Sequence, residues 1–572
     1  LVARLLTRDA GTVAAARQRF TEAFDATGLA GEAMIRTASA LDAARGAADP
    51  DLAERLALHA SRLRAAADQI PAMTAAGATM LDRRLAEQAA PDLPAARRLL
   101  TESLTALRTV VQTAATDLSQ RSEAAQDEAR ARLSPARSTL STLDETLASL
   151  LAAVEAAVLP ASVRALGALE QSEALLILGS AGVQAVRIDD VFTPAAPGAP
   201  TPDVGRRVET LVTNAVALMA GRPSPMVVVT HASPRRILQG DGLFDALRSR
   251  STLRGADWIE WPILLSPEEP AATAAARADG RPVVFVVIGV DASGAQGAQR
   301  VERTAAVVSS LLDRGEPVLL NLAPSTLPGL GEADPLAEVL GPLGLRADTG
   351  RPVLRAFRRG EDRLVAWEHS LLQPSGSPEG DASPLSAAIA GVPLLLPWPS
   401  VIERADGADR TARAKPILRL DPQDAWREGE WLGYWVTEAA SRPLLTRKPE
   451  PGGTRDAALG EGAVAWSVQR DSGARAVVVG SHLWLFDQAA DRPAVVDGRI
   501  VQTSPGNAEL FLGAVDWLAG EDRAILPAAA AASTPIVQPI EPERLRLLRW
   551  LVMAGLPIGV LALGVCVRVL RG

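Results

Sequence analysis

The sequence predicts an α/β protein in three parts: an N-terminal helical bundle, a body built on a parallel sheet, and one C-terminal transmembrane helix. Three features predict it. Residues 1–160 are rich in Ala, Leu, Arg and Glu and repeat apolar residues at heptad spacing. From about residue 165, short apolar runs alternate with amphipathic segments. Near the end, the 18 residues 550–567 carry no charge.

In the first part, Leu52, Leu56, His59, Leu63, Ala66 and Ile70 are separated by alternating steps of four and three. Leu100, Leu104, Leu107, Val111, Ala114 and Leu118 repeat that rhythm, and so do Leu140, Leu143, Leu147, Leu150 and Val154. Such steps put apolar residues on one stripe of a helix. Pro50, Pro71, Pro91, Pro94, Pro135 and Pro160 read as breaks between helices, because proline lacks the N–H that an interior turn needs. Each stripe lasts two to three heptads, which favours an antiparallel bundle or long hairpins over one continuous coiled coil. His59 falls on the stripe and reads as a core histidine.

In the second part, residues 174–178, 226–229, 258–263, 283–288 and 318–322 read as buried strands. Residues 205–220, 243–250 and 298–314 read as the helices between them. Strands apolar on both faces, alternating with helices, imply a parallel sheet covered on each side. The turn Asp313-Arg314-Gly315-Glu316 reads as a glycine C-cap. A second α/β stretch has strands at 392–396, 417–420, 463–468 and 476–479 and an amphipathic helix at 507–519. In that helix Leu510, Ala514, Trp517 and Leu518 share a face that would pack on the sheet, and Asn507 is placed to cap its start. Pro-rich loops cover 192–204 and 372–384. The organisation expected is therefore a helical region 1–160, α/β regions 165–355 and 356–526, a Pro/Ala linker 527–543 and a membrane anchor 544–571.

Composition removes several function classes. The net charge is −8, and no basic footprint for nucleic acid is present. Lys415 and Lys448 are the only lysines, and each precedes proline, so no phosphate-binding loop ending in Lys-Ser or Lys-Thr exists. Cys566 is the only cysteine, which excludes intrachain disulfides and multi-cysteine metal sites. The four histidines are scattered. No cofactor or metal is expected. Open α/β sheets bind ligands at the carboxyl ends of their strands; the candidates there are His231, Asp291, Asn321 and His482. Neither Ser233 nor Ser481 sits in a G-x-S-x-G elbow, so no catalytic residue is assigned.

The uncharged run would span ~27 Å as a helix, close to the hydrocarbon thickness of a bilayer. Arg544, Arg546 and Arg549 precede it, and Arg568 and Arg571 follow. Trp550 stands at the interface position, and Pro557 and the glycines are tolerated in membrane helices. Membrane lipid is therefore an expected partner. If an upstream transmembrane helix precedes Leu1, the bulk is extracytoplasmic; without one the protein is tail-anchored.

The run 476–487 (AVVVGSHLWLFD), then Gly506-Asn507-Ala508-Glu509-Leu510-Phe511, then 515–522 (VDWLAGED) and a terminal apolar span resemble the gliding-motility-associated ABC transport auxiliary proteins. The helix 208–220, the turn Thr230-His231 and the unit 283–324 fit the same pattern, so the resemblance covers about residues 165–570. It implies a non-enzymatic, membrane-anchored subunit of a bacterial inner membrane. Its Rossmann-like or amidotransferase-like body would lie outside the cytoplasm and act with separate ABC ATPase and permease subunits. Amidotransferase chemistry needs a strand-end cysteine, and none is present. The chain departs from the family in lacking the N-terminal membrane helix and in its large helical region. A membrane-tethered ligand- or glycan-binding or hydrolase-like domain using His231, Asp291 and His482 is the alternative, and a tail-anchored scaffold a third.

Overall fold

Helices of 35, 33, 30 and 30 residues open the chain: α1 (Ala10–Ala44), α2 (Pro50–Asp82), α3 (Leu93–Ser122) and α4 (Asp127–Ala156). The computed structural model describes residues 10–525 apart from 83–90, 123–126, 158, 172, 180–181, 192–203, 239–242, 291–295, 360–361, 371, 375–382, 391, 406–411, 439–440, 443–444, 446–448, 491, 497–498 and 503. Each helix packs on the next, and α4 closes back against α1. Arg64 reaches Asp42, Arg17 reaches Asp82, and Arg121 reaches Asp51, pairings that require antiparallel neighbours. The three heptad stripes lie in one core, to which α1 adds Phe20, Phe24, Met34 and Leu41. Alanines dilute the stripe of α1, which is why its period is hard to read.

Two of the proline breaks are not breaks. Pro71 lies inside α2 and Pro135 inside α4. Both rings are exposed, so neither intrudes on the core, and each helix runs on through its proline with only the i−4 carbonyl, of Ala67 or Ala131, losing its usual N–H donor. Pro50 and Pro94 do stand in first turns, where no N–H is needed. Gly77 allows close approach: a Cβ there would lie 2.1 Å from the Phe24 ring.

The body is one eight-stranded sheet. Its strands are β1 (Met226–His231), β2 (Asp257–Pro262), β3 (Val283–Ile288), β4 (Val318–Asn321), β5 (Leu372–Pro374), β6 (Ala412–Leu420), β7 (Ala463–Arg470) and β8 (Arg475–Val479). The spatial order is β5-β6-β7-β8-β4-β3-β1-β2. From β8 to β2 every pairing is parallel. That order has the doubly wound form, reversing direction between β1 and β3. The expected parallel sheet is thus found over these strands, but the sheet is mixed: on the other side β7, β6 and β5 pair antiparallel. At β7–β8 the cause is local: the two strands are joined by a short turn with Gly473 at φ 88°, and a turn that short can only make a hairpin.

Strands from 165–355 and from 356–526 thus share one sheet, and position 355/356 falls inside the strand Val353–Arg359. That strand belongs to a small antiparallel sheet with Asp362–Ala366, Ala425–Arg427 and Ala457–Ala458. The run 174–178 is a strand, but it pairs with Gly182–Arg187 in a separate hairpin and leaves Leu175 and Leu178 half exposed. Of 392–396, only Leu396 joins a two-residue bridge, Leu396–Pro397 with Glu368–His369. Pro393 and Pro397 remove the donors that a ladder would need.

Helix α5 (Val204–Met219) packs on the hairpin 174–187, and helices cover both faces of the sheet: α6 (Asp245–Leu253), α7 (Ala271–Ala278), α8 (Gly297–Asp313), α9 (Pro384–Ile389) and α10 (Pro505–Leu518). Alternate strand residues feed two cores. Val227, Val229, Val477 and Val479 face α10 and α9, while Val228, Phe285 and Val478 face α7 and α8. The C-terminus of α8 is capped as expected, with Gly315 at φ 74° and the Gly315 and Glu316 N–H groups donating to Leu312 and Leu311. The bundle meets the body where α4 contacts α7.

Among the described residues no helix is long and apolar enough to cross a membrane. The anchor residues Trp550, Pro557, Cys566 and Arg568, with the linker 527–543, lie outside the described residues.

Candidate functional site at the carboxyl edge of the sheet

The strand ends of β1, β4 and β8 carry the residues expected to line a ligand cleft. At β1, His231 is buried. The Ser233 N–H donates to its Nδ1 (3.1 Å), so Nε2 carries the proton and donates to Glu260 Oε1 (2.8 Å). The same carboxylate oxygen accepts the Ile237 and Leu238 N–H groups, and Arg236 lies 3.8 Å from the other. Both polar atoms of the imidazole are engaged within the fold, so His231 braces a turn instead of facing a cleft.

At β4, Asn321 is fully buried. Its Nδ2 donates to the Val287 carbonyl (2.9 Å), and its Oδ1 accepts the Trp484 indole N–H (2.8 Å). At β8 the edge is closed by the segment Leu395 to Ser400. Ser481 Oγ donates to the Pro397 carbonyl (2.6 Å), and the Ser400 N–H donates to the Gly480 carbonyl (2.6 Å). A Cβ on Gly480 would sit 2.0 Å from the Ser400 oxygen, so only glycine admits this contact. Asn507 completes the closure. Its Oδ1 accepts the Leu395 N–H (2.8 Å), and its Nδ2 donates to the carbonyls of Leu395 (2.9 Å) and Trp484 (3.0 Å). This corrects its expected role as a helix cap: α10 begins two residues earlier, at Pro505, and Asn507 points inward to hold the plug.

His482 is buried against the rings of Trp435 (6.3 Å) and Phe486 (6.1 Å). Asp291 lies outside the described residues. The fold therefore does not assemble the predicted set. His231 binds toward the β2 edge, Asn321 and His482 serve the plug and the aromatic layer, and β3 separates the two ends. Among the described residues, no group of three or more His, Cys, Asp or Glu is placed to hold a metal ion.

The aromatic layer was not anticipated. Trp398, between two prolines, adopts the left-handed conformation at φ 49°, and its N–H donates to the Trp367 carbonyl (2.7 Å). Its ring meets Trp435 at 5.0 Å, Tyr434 at 6.0 Å and Trp431 at 6.4 Å. The Arg442 guanidinium lies 4.3 Å over Trp367 and 5.2 Å from Trp398, and its Nε donates to the Tyr434 carbonyl (2.8 Å). Burial pulls that guanidinium below its ordinary pKa. Such cation–π stacking gains strength where water is excluded. A signal existed: five of eleven tryptophans and the only tyrosine fall within 367–435. Beside this layer His369 is buried with Nε2 donating to the Val353 carbonyl (2.9 Å), and desolvation lowers its pKa to about 4.

The run 515–522, which carries much of the sequence resemblance, ties α10 down. Arg475 donates to the Trp517 carbonyl (2.6 Å) and pairs with Asp522 (3.2 Å), while Asn214 donates to the Ala524 carbonyl (3.1 Å). Asp516 is buried 3.7 Å from Arg254. Burial outweighs the nearby Arg254 and Arg222 and pushes its pKa up to about 7. Comparison with protein-family models and with curated proteins found no match for this chain.

Proposed function

We propose that this protein is a non-catalytic, membrane-anchored auxiliary subunit of an ABC-type transport system. Its α/β body would lie outside the cytoplasm of a bacterial inner membrane, anchored through residues 544–571 and an upstream helix, and act with separate ATPase and permease subunits. The observation that carries the non-catalytic reading is the carboxyl edge at β4 and β8, filled by the segment Leu395 to Ser400. Asn321, Ser481 and Asn507 spend their polar atoms on the chain's own backbone and on Trp484. A hydrolase would need a nucleophile and base within reach of each other at an open edge, and His231 is committed to Glu260. The transport assignment draws on the run 476–522 followed by the uncharged span 550–567.

The test is purification of the full chain from membranes of its own organism in mild detergent. Stoichiometric recovery of an ATPase and a multi-span permease is expected; recovery of the chain alone would overturn the assignment. Protease added to spheroplasts should cleave the α/β body, and protection would place it in the cytoplasm instead.

A further inference from the structure

The seam between α2 and α3 differs along its length. Toward the N-terminus of α2 it is closed by polar pairs: His59 Nε2 with Asp117 (2.9 Å), and Arg121 with Asp117 (3.1 Å) and Asp51 (2.6 Å). Toward the α2–α3 connection it opens into a groove of about 450 Å³. Ile70, Met73, Leu107 and Val110 form an apolar floor, and small residues such as Ala65 and Ala106 keep the walls low. The groove follows α2 from Arg62 to Met73, a length of ~16 Å or three helical turns.

Its ends are charged with opposite sign. The helices are antiparallel, so Glu102 of α3 lies at the Met73 end, away from Arg62. Both are exposed, and neither has an ion-pair or hydrogen-bond partner among the described residues. Elsewhere on the bundle, arginines bridge helices to aspartates, as in Arg108–Asp144 at 2.7 Å. An α-helix carries partial positive charge at its N-terminus and partial negative charge at its C-terminus. A helix laid in this trough with its N-terminus at Glu102 and its C-terminus at Arg62 would match both ends while covering the floor.

We propose that the α2–α3 groove is a receptor for one amphipathic α-helix of a partner protein. That helix would be about three turns long, with an aliphatic stripe, a basic first turn and an acidic last turn. Helix-in-groove recognition of this kind takes its affinity from apolar anchors and its direction from the flanking charges. The inference is independent of the transport reading, because it uses only the bundle.

The probe is a fluorescent 14-residue amphipathic peptide with lysine in its first turn and glutamate in its last. It is titrated against the full chain in mild detergent, with detergent-only blanks subtracted. Saturable binding is expected. Ala106→Trp, which fills the groove from an exposed position, should weaken binding by about tenfold or more. Glu102→Lys should weaken it about threefold, the scale of one exposed ion pair. A peptide with glutamate in place of its first-turn lysine should restore binding to Glu102→Lys, because both ends of the groove are then basic. Circular dichroism melting checks that both variants stay folded. No saturable binding, indifference to Ala106→Trp, or failure of the swapped peptide to rescue would overturn the proposal. So would concentration-dependent self-association abolished by Ala106→Trp, which would assign the groove to a second copy.

Discussion

The helical bundle and the α/β body solve the same burial problem with opposite materials. The bundle uses leucine and alanine at a regular period, and its buried polar group His59 finds an adjacent helix partner in Asp117. The body uses bulky aromatics, a left-handed tryptophan and buried amides whose partners lie far away in sequence. Periodic packing tolerates local change because each contact resembles its neighbours. The body's contacts are individual, so each loss leaves a specific hole or an unpaired group.

The sharpest break in that comparison is Trp398→Ala. It empties the centre of the aromatic layer and should cost about 3–5 kcal/mol in denaturant unfolding. A leucine-to-alanine change at Leu104 in the bundle should cost less, about 2–3 kcal/mol, because flanking helices can close on the space. Equal losses would contradict the contrast.

Asn507→Ala should destabilise by roughly 1–3 kcal/mol, since it strands the Leu395 N–H and two carbonyls. Asn507→Ser distinguishes the plug from a cap. A serine would serve a helix start, but it cannot span three partners, so equal damage from both variants is expected.

In the bundle, Gly77→Ala tests tight approach. Helix propensity alone favours alanine by about 1 kcal/mol, yet the added Cβ would meet the Phe24 ring at 2.1 Å. A net loss of about 1–3 kcal/mol is expected from overpacking, and a gain in melting temperature would refute it.

The smallest net effect in the native chain is a pH dependence divided between two buried groups. Asp516 has a pKa of about 7 in the fold against an ordinary value of 3.8. The folded state therefore holds the extra proton, and stability is lost as pH rises from about 4 through about 7. His369 has a pKa of about 4 against 6.5, so its contribution is present above pH 6.5 and lost as pH falls toward 4. The two slopes oppose each other in the native chain. Asp516→Asn should leave a stability that rises with pH over this window, and His369→Gln one that falls; urea midpoints from pH 4 to 7.5 would show it. Parallel profiles would argue against opposed titration.

Much of the architecture was legible. The stripes at 52–70, 100–118 and 140–154 became α2, α3 and α4, and 283–288 became a strand with those same limits. Helix and strand periods are local, so a window of ten residues contains the information. The candidate site was legible only as a location. His231, Asn321 and His482 stand at strand ends as expected, but their partners Glu260, Trp484 and Trp435 come from other segments. Asn507 illustrates the limit: its place beside a helix start suggested a cap, and only the arrival of Leu395 gave its side chain a different partner.

The sequence by itself determined the helical stripes, the alternation of buried strands and helices, the Gly315 cap and the absence of a lysine phosphate loop. Each follows from residue type and short spacing. Tertiary structure alone decided that two α/β stretches share one sheet, that its carboxyl edge is filled at β4 and β8, that five tryptophans converge, and that Asp516 holds a raised pKa. These depend on which distant segments exclude water together, and desolvation is a property of the assembled neighbourhood that no local window contains.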